Sequence, residues 1–581
     1  MSKLMNRFAT VCFAIIFTAT VALAGSEKLS PELRSVSQPD NLDVIVQYRH
    51  APTSVHHQKM AARGGVLKHE LGLINSRHYR VASKTLAALS DDPDVAYISP
   101  NRALSANCDQ ARVSIGAELA DSFNVDGKGV GVVVIDSGIG DHEDVKKRVV
   151  YQEQFNGGTG DDTFGHGTHV AGIIVGSGKQ SSGAGYFRTF EGVAQGANLL
   201  DFQVLDQNGH GTDSSVIAAI QRAIELKGKY NIRVINLSLG RPVFESYKTD
   251  PLCQAVEEAW KAGIVVVVAA GNFGRSNPTT TYGYGTITAP GNDPYVITVG
   301  AMRDMMTPYK GDDLIASYSS KGPTLFDMVA KPDLVAPGNL IDSTLSPASS
   351  LISNFPSTGI AMNTYAFGSN SGNSTKYIQL SGTSMATPFV SATVALILQQ
   401  HPDMTPDQVK ARLMKTADKI FPKTSSYTDP ATGATYKAQY DIFTVGAGYL
   451  NVGNALFSSD LAPSSKSSMS PALTVTSAGT LVFAASSNVV WGSNVVWGSN
   501  VVWGSNVVWG SNVVWGSNVV WGSSNLFLNA ANVVWGSNVV WGSNVVWGSN
   551  VVWGSNVVWG SSVLGSKVAD SATGVLTGGD K

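Results

Sequence analysis

The chain has 581 residues, of which 41 are basic and 43 acidic, so that only 14% carry a charge and the formal net charge is −2. This balance excludes the overall positive field with which proteins attract nucleic acids, and the 43% hydrophobic content excludes charge-driven disorder. Three cysteines exclude a disulfide-stapled scaffold, and the length predicts more than one domain.

Residues 1–24 are typical of a secretory signal peptide. Lys3 and Arg7 give a positive start, a mostly apolar run extends from Phe8 to Leu23, and cleavage is predicted after Ala24 in a small-x-small pattern. An uncleaved membrane anchor is the alternative, but the apolar run is short and interrupted by threonines. We therefore predict a protein that is secreted or held at the cell surface.

Export would remove Cys12 with the signal peptide and leave Cys108 and Cys253 in the mature chain. In an oxidising compartment these two could form a disulfide, or they could be two inert thiols. The sequence leaves both alternatives open.

Residues 25–106 have mixed character and predict a small α+β domain. Leu42–Tyr48 alternates as a strand does, Val95–Ile98 is a second short β-like run, and Lys84–Leu89 between them has a helical pattern.

Residues 107–460 alternate between strands and helices, which predicts an α/β domain with a parallel sheet covered by helices. The predicted strands are Val130–Ile135, Val234–Leu239 and Ile264–Val268, and the predicted helices are Ser214–Leu226 and Gln254–Ala262. A further helix should begin after Thr405, because Thr405, Pro406 and Gln408 form a capping-box pattern with proline at the first helical position.

Residues 461–581 form a tail of a different kind. The hexapeptide Asn-Val-Val-Trp-Gly-Ser runs six times through 488–523 and five times through 532–561, and no residue between Lys466 and Lys567 is charged. Period six keeps valine, tryptophan and serine on one face of a strand, so a β-solenoid or stacked strands are favoured over a disordered tail. The tail could contact a surface or a polysaccharide, aggregate as cross-β stacks, or be trimmed off.

Three motifs carry residues suited to chemistry. Asp136 ends a buried strand in Val-Ile-Asp-Ser-Gly, His166 opens a helix in Gly-His-Gly-Thr-His, and Ser384 opens another in Gly-Thr-Ser-Met-Ala-Thr-Pro. Each alone could be a turn residue, a helix-start histidine or a helix cap. Ligands of open α/β sheets bind where strands end and helices begin, so the three motifs together predict one cleft.

These motifs resemble those of the subtilisin-like serine proteases, the subtilases, and the resemblance runs from the residues after the signal peptide to about Leu456. It implies that Ser384 is the nucleophile, His166 the general base and then acid, and Asp136 the group that orients His166. A serine hydroxyl needs such a base, since it is a poor nucleophile until its proton is removed.

The resemblance also assigns residues around the triad. Asn272, at the end of an apolar strand, would donate its side-chain amide to the oxyanion. Ser238, Leu239 and Gly240 would pair with the substrate backbone as an added strand, and Gly271 would line the adjacent specificity pocket. His210, in a Gly-His-Gly-Thr sequence that imitates the histidine motif, is predicted to lie in a loop without a catalytic role.

The function implied is a secreted serine endopeptidase, made as a zymogen, that acts on protein or peptide substrates and has residues 25–106 as its inhibitory propeptide. The chemistry requires no cofactor. A structural calcium ion stays open and its ligands unassigned, although Asp144 fits a surface carboxylate better than a calcium ligand. The alternative is a surface adhesion or binding protein with an inactive or incidental protease domain, but an abandoned site need not keep Asp136, His166, Asn272 and Ser384.

Overall fold

The computed structural model describes residues 28–30, 33, 41–100, 110–276, 281–307, 309–368 and 372–475, and short pieces at 481–483, 508–509, 513–514, 533–534, 540–541, 576 and 578–580. The predicted signal peptide, Cys108 and most of the repeats lie outside these residues. The chain divides into two units, Met1–Ser105 and Ala106–Lys581. Each is considered by itself below.

The first unit is an antiparallel sheet with two short helices. Its strands are β1 (Asn41–Tyr48), β2 (Val66–Leu71), β3 (Ser76–Ala82) and β4 (Val95–Pro100), in the order β2-β3-β1-β4, and its helices are α1 (Ser54–Ala62) and α2 (Leu86–Ser90). Val44, Val46 and Tyr48 alternate into the core, as the strand pattern predicts. The unit therefore has a hydrophobic core of its own.

The second unit is built on an eight-stranded sheet. The strands are β5 (Gly131–Asp136), β6 (Val149–Gln154), β7 (Asn198–Gln203), β8 (Ile232–Leu237), β9 (Val265–Ala269), β10 (Ile297–Arg303), β11 (Leu314–Ile315) and β12 (Leu334–Pro337). Seven of them follow the order β11-β10-β9-β8-β5-β7-β6, and β12 pairs with β10. Every neighbouring pair is parallel except β10 with β11.

The described helices of this unit are α3 (Gln110–Ser114), α4 (His166–Val175), α5 (Asp213–Tyr230), α6 (Pro251–Lys261), α7 (Leu351–Asn354), α8 (Thr383–Gln400), α9 (Pro406–Thr416) and α10 (Val452–Phe457). Every residue of β5 and β9 is buried, as expected for central strands of a parallel sheet covered on both faces. Helix α9 begins with the predicted capping box, in which Gln408 N donates to Thr405 Oγ1 at 3.3 Å and Thr405 N donates to Gln408 Oε1 at 2.9 Å. The parallel α/β architecture predicted from the sequence is confirmed.

A small antiparallel sheet consists of β13 (Ile341–Thr344), β14 (Gly359–Ala361) and β15 (Asn373–Leu380) in the order β13-β15-β14, and β13 packs against α4. It has an aromatic cluster in which Tyr365 and Tyr377 pack with Phe190. Strands β14 and β15 thus give defined structure to a segment before Ser384 in which the sequence patterns predict no element.

The described end of the second unit continues beyond Asp460, where the sequence places the start of the tail. Gln408 Nε2 donates to Ala462 O at 2.6 Å, and Ser470 Oγ donates to Asp333 Oδ1 at 2.5 Å. The hairpin of β16 (Thr424–Thr428) with β17 (Thr435–Gln439) precedes this end of the unit, and the hairpin of β18 (Leu473–Val475) with β19 (Leu481–Phe483) lies within it. Residues up to 475 therefore pack as part of this unit.

Within the repeats the described residues are two antiparallel pairs of two-residue strands, β20 (Val508–Trp509) with β21 (Val513–Val514) and β22 (Val533–Val534) with β23 (Val540–Trp541). The choice between a solenoid, stacked strands and a disordered tail stays a prediction, because it concerns residues mostly outside the described part. Among the described residues, no helix combines the length and apolar character needed to cross a bilayer. Cys253 is a buried free thiol whose Sγ donates to Asn292 Oδ1 at 3.3 Å.

Candidate active site

The three sequence motifs meet at one edge of the main sheet. Asp136 is the last residue of β5, His166 is the first residue of α4, and Ser384 is the second residue of α8. Each residue thus lies at a strand end or a helix start, where the chain reverses at the carboxyl edge of a parallel sheet.

Asp136 and His166 form a buried pair. His166 Nδ1 donates to Asp136 Oδ1 at 2.7 Å, and Ser137 N donates to the same oxygen at 2.8 Å. Burial alone would lower the pKa of His166, but the Asp136 charge and this hydrogen bond outweigh burial and raise the pKa above its ordinary value of 6.5. The bond places a proton on Nδ1, so the neutral ring has its unprotonated nitrogen at Nε2.

The loop before His166 is fixed by a buried carboxylate that the sequence analysis missed. Asp162 Oδ1 accepts hydrogen bonds from Gly165 N at 2.6 Å and Ser137 Oγ at 2.8 Å, and Asp162 Oδ2 accepts one from Thr168 N at 2.8 Å. These donors include the first turn of α4, whose amide groups lack partners within the helix. Burial raises the pKa of Asp162 to about 6. Asp162 therefore ties the strand that ends in Asp136 to the helix that begins with His166.

The other histidine of the motif has a structural environment. His169 is fully buried in α4, its Nε2 lies 2.9 Å from Ile341 O, and burial lowers its pKa to about 3. A histidine held neutral in this way packs α4 against β13.

Ser384 is half-buried and its position is set by the neighbouring strand. Ser238 Oγ donates to Ser384 O at 2.8 Å, Asn236 Nδ2 donates to Ser238 Oγ at 2.9 Å, and Ser391 Oγ donates to Asn236 Oδ1 at 2.8 Å. This chain of hydrogen bonds links the first and third turns of α8 to the end of β8. The start of α8 is therefore held to the sheet by polar contacts as well as by apolar packing.

Asn272 faces the same place, and its amide orientation is defined. Thr383 donates twice to Asn272 Oδ1, from its backbone N at 2.9 Å and from its Oγ1 at 3.0 Å, while Gly271 N donates to Thr383 Oγ1 at 3.1 Å. Because Oδ1 is engaged by two donors, Nδ2 is the end of the amide that can donate to a third partner. The sequence did not single out Thr383, which is the residue before the serine and orients Asn272.

A cavity of about 660 Å³ brings the predicted residues together. His166, Ser384, Asn272, Gly271 and residues 238–240 all line it, and Asp136 lies buried behind His166. Residues 238–240 follow β8, and among the described residues their backbone groups make no backbone hydrogen bond. This edge can therefore accept an extended peptide as an added strand.

His210 also lines this cavity, from an exposed turn. Asp206 N donates to His210 O at 2.8 Å, and His210 N donates to Asp206 Oδ1 at 2.9 Å. This is the loop position that the sequence predicts.

The residues around Asp144 do not fit a calcium ion. Asp144 Oδ1 accepts hydrogen bonds from Ser177 Oγ and Gln180 N, both at 3.1 Å, and Asp144 Oδ2 accepts one from Tyr377 Oη at 2.6 Å. Its oxygens are thus occupied by donors, whereas calcium needs free oxygen ligands. Asp144 is 3% exposed, so it is not the surface carboxylate that the sequence predicts. The described part of the chain has no group of three or more His, Cys, Asp or Glu side chains arranged to hold a metal.

The amino-acid sequence of this chain is similar to those of known serine proteases. The model of the subtilase family matches residues 127–485. The chain is 37% identical to serine protease AprX of Bacillus subtilis (strain 168) over 367 residues, which cover 61% of this chain and 76% of AprX. It is 32% identical to subtilisin E of the same strain over 371 residues, covering 62% and 79%, and 34% identical to the extracellular serine proteinase of Thermus sp. (strain Rt41A) over 369 residues, covering 60% and 74%. The chain is a member of the subtilase family of serine proteases.

Proposed function

We propose that this protease is a secreted endopeptidase made as a zymogen, with Ser384, His166 and Asp136 as its catalytic triad. The observation that carries the assignment is the buried 2.7 Å pair of Asp136 and His166 beside a cavity that Ser384 also lines. A protonated Nδ1 and an unprotonated Nε2 are what a general base for a serine hydroxyl requires.

In the proposed mechanism Ser384 Oγ attacks the carbonyl carbon of the scissile peptide bond while His166 Nε2 takes the hydroxyl proton. Asp136 stabilises the resulting imidazolium. Asn272 Nδ2 and the backbone N–H of Ser384 donate to the developing oxyanion. His166 then returns the proton to the leaving amine, and water hydrolyses the acyl-enzyme by the same steps in reverse order.

The substrate backbone would pair with residues 238–240, with Gly271 beside the side chain that precedes the scissile bond. The free backbone edge after β8 supports this role. A site that binds main chain accepts many sequences, which suits an enzyme acting on proteins.

The proposed layout along the chain is a signal peptide at 1–24, an inhibitory propeptide at 25–106, a catalytic domain at 107–460 and a low-charge tail at 461–581. The separate core of the first unit and the division after Ser105 support the propeptide assignment. The contacts of residues 462–475 support extending the catalytic domain to about residue 475.

A fluorophosphonate probe tests the triad, because it reacts only with an activated serine. We expect the matured chain to be labelled and Ser384→Ala to be unlabelled. Ser353→Ala is the matched control, since Ser353 is an exposed serine that donates only to Ser350 O. An unlabelled mature chain would defeat the assignment. Ser384→Ala should also accumulate as the unprocessed form if the protease removes its own propeptide.

For the tail we propose contact with a cell surface or polysaccharide, supported by the regular tryptophans of the repeats. The test compares the full chain with one from which residues 488–561, the repeats, are deleted, because this deletion keeps the residues that pack on the catalytic unit on both sides of the repeats. Equal casein cleavage with loss of polysaccharide or cell retention is expected, and equal retention would refute the idea. The alternative of an adhesion protein with an incidental protease domain is supported by neither the site nor the comparisons.

A further inference from the structure

A short segment far along the chain docks next to the catalytic residues. Its described residues are Leu576 and 578–580, which we call the strap. Leu576 joins the main hydrophobic core, and Asp580 is only 1% exposed. The strap is thus a part of the catalytic unit although about 90 residues, mostly repeats, separate it from Phe483.

The Asp580 side chain occupies a complete carboxylate site. Asp580 Oδ1 accepts hydrogen bonds from Arg275 Nη2 at 2.7 Å and Ser317 Oγ at 2.6 Å, and Oδ2 accepts one from Ser317 N at 2.7 Å. Arg275 Nε also donates to Ser317 Oγ at 2.8 Å, so the two donors hold each other in place. A buried charge is tolerated only with such partners, and here the partners come from residues about 260 to 305 positions away.

The strap backbone is recognised as well. Asp580 N donates to Asn339 Oδ1 at 2.7 Å, and Asn339 Nδ2 donates to Asp580 O at 2.9 Å. Gly579 has a φ of +59°, and a Cβ added there would lie 2.3 Å from Ser381 Oγ and 2.7 Å from Asn339 Oδ1. The site therefore selects a glycine before the aspartate by close approach and by backbone conformation.

The position of the strap relates it to catalysis. Leu576 lines the same cavity as His166, Asn272 and Ser384, and its carbonyl accepts a hydrogen bond from Ser381 N at 2.9 Å. Arg275 follows Asn272 by three residues, and Ser381 precedes Ser384 by three. The strap is thus held by the two loops that carry the nucleophile and the oxyanion asparagine.

Among the described residues, none of the strap's hydrogen bonds goes to residues 238–240. In the proposed function, the substrate residues that precede the scissile bond pair with that edge. The substrate residues that follow the bond would then lie on the other side of Ser384. The described hydrogen bonds of the strap go to residues 275, 317, 339 and 381, none of which belongs to that edge.

We propose that the strap is an autoinhibitory ligand of the protease, which restricts the part of the cleft that receives substrate residues following the scissile bond. This rests on the proposed function for the location of the scissile bond. Because the strap belongs to the same chain as the catalytic residues, its effective concentration at the cleft is high. A substrate must therefore compete with the strap for this part of the cleft.

The test compares two substrates. One is an acyl-peptide anilide with residues only before the scissile bond, and the other is a quenched fluorescent peptide with the same residues extended by four after the bond. The quantity compared is kcat/KM for the extended peptide divided by kcat/KM for the anilide. We expect Asp580→Ala to raise this ratio by about 10- to 100-fold, because losing the hydrogen bonds to a charged group weakens docking of the strap by about that factor. Changes in folded or active fraction cancel in this ratio.

Leu576→Ala should raise the same ratio while leaving the Asp580 contacts intact, because it removes the side chain that lines the cavity. Asp121→Ala is the matched control, since Asp121 is exposed and its side chain makes no hydrogen bond among the described residues. An unchanged ratio in both strap variants would overturn the proposal.

A second measurement does not depend on activity. Hydrogen exchange is compared between Ser384→Ala and the double variant Ser384→Ala/Asp580→Ala of the full chain. We expect the amides of Ser317 and Ser381 to exchange at least several-fold faster in the double variant, because both donate to the strap. Equal exchange would show that the strap is not docked. Faster exchange in the double variant, together with a matured wild-type chain that cleaves neither substrate, would count against the proposed function alone.

Discussion

Thr383 offers a direct test of how Asn272, the proposed oxyanion donor, is positioned. Its Oγ1 donates to Asn272 Oδ1 at 3.0 Å and accepts from Gly271 N at 3.1 Å, and its side chain is fully buried. Thr383→Val keeps the shape and removes the hydroxyl. The Asn272 amide would then be held by the backbone N of residue 383 alone, and its Nδ2 would point at the oxyanion for a smaller fraction of the time.

The magnitude follows from one hydrogen bond. A net loss of about 0.5–1.5 kcal/mol in the preference for the productive amide orientation lowers kcat by about 2- to 12-fold. KM should stay within about two-fold, since the oxyanion forms only after substrate binding. The unfolding free energy should fall by about 1–3 kcal/mol, because Gly271 N loses its acceptor.

The assay is a double-mutant cycle with Asn272→Leu, which itself should lower kcat by about 10²–10³-fold. If Thr383 acts through Asn272, adding Thr383→Val to Asn272→Leu should lower kcat no further. Thr387→Val is the matched control, since Thr387 is equally buried in α8 and its Oγ1 donates to Thr383 O at 2.8 Å. A kcat loss of equal size in Thr387→Val, or full additivity in the cycle, would refute the reasoning.

Three further predictions concern buried carboxylates. Asp136→Asn should lower kcat by about 10⁴-fold at neutral pH, because the imidazole loses the partner that fixes its tautomer; a loss below ten-fold would contradict this. In the wild type, kcat/KM should fall as the pH drops through the pKa of His166, which Asp136 holds above 6.5, so an acid limb at or below pH 6.5 would be contrary evidence. Asp201 lies buried in β7, and burial raises its pKa from 3.8 to about 8. The folded state therefore binds the extra proton between these pH values and loses stability as the pH rises through them. The asparagine of Asp201→Asn does not titrate. The unfolding free energy of this variant minus that of the wild type should therefore increase from about pH 4 to pH 8 in denaturant titrations, and a difference that stays constant with pH would contradict this.

Much of the fold could be predicted from the sequence where the signal is local. The start of α9 is determined by the capping box of Thr405 and Gln408, which is only four residues long. The apolar run after Ser384 forms α8 as far as Gln400. The three residues of the proposed triad could be placed together from the sequence because each motif combines a reactive residue with a strand end or helix start. Strand β8 differs from its prediction by ending at Leu237, which leaves Ser238 and Leu239 as the free edge beside the cavity.

The parts that could not be predicted depend on contacts between distant residues. Thr383 orients Asn272 across 111 positions, and Tyr377 donates to Asp144 across 233. Neither pair has a periodic or local pattern, because each is made only when the sheet brings separate loops together. The β14–β15 region is similar, since its strands are short and its core depends on Phe190 from another part of the chain.

In this chain of low charge, several buried carboxylates contact residues of the proposed site. Three of them contact loops of the proposed site. Asp136 fixes the ring of His166, and Asp162 accepts hydrogen bonds from the loop before His166. Asp580 pairs with Arg275, which follows Asn272 by three residues. A buried charge loses its hydration and must find donors, so each one fixes the position of the groups that supply them. On a solvent-exposed surface, water and salt would screen such carboxylates, and their ion pairs would contribute little to stability. Here, replacing Asp136 or Asp162 should disturb the geometry around Ser384 more than it disturbs the fold, because their donors belong to the loops of the site, whereas replacing Asp580 should release the strap.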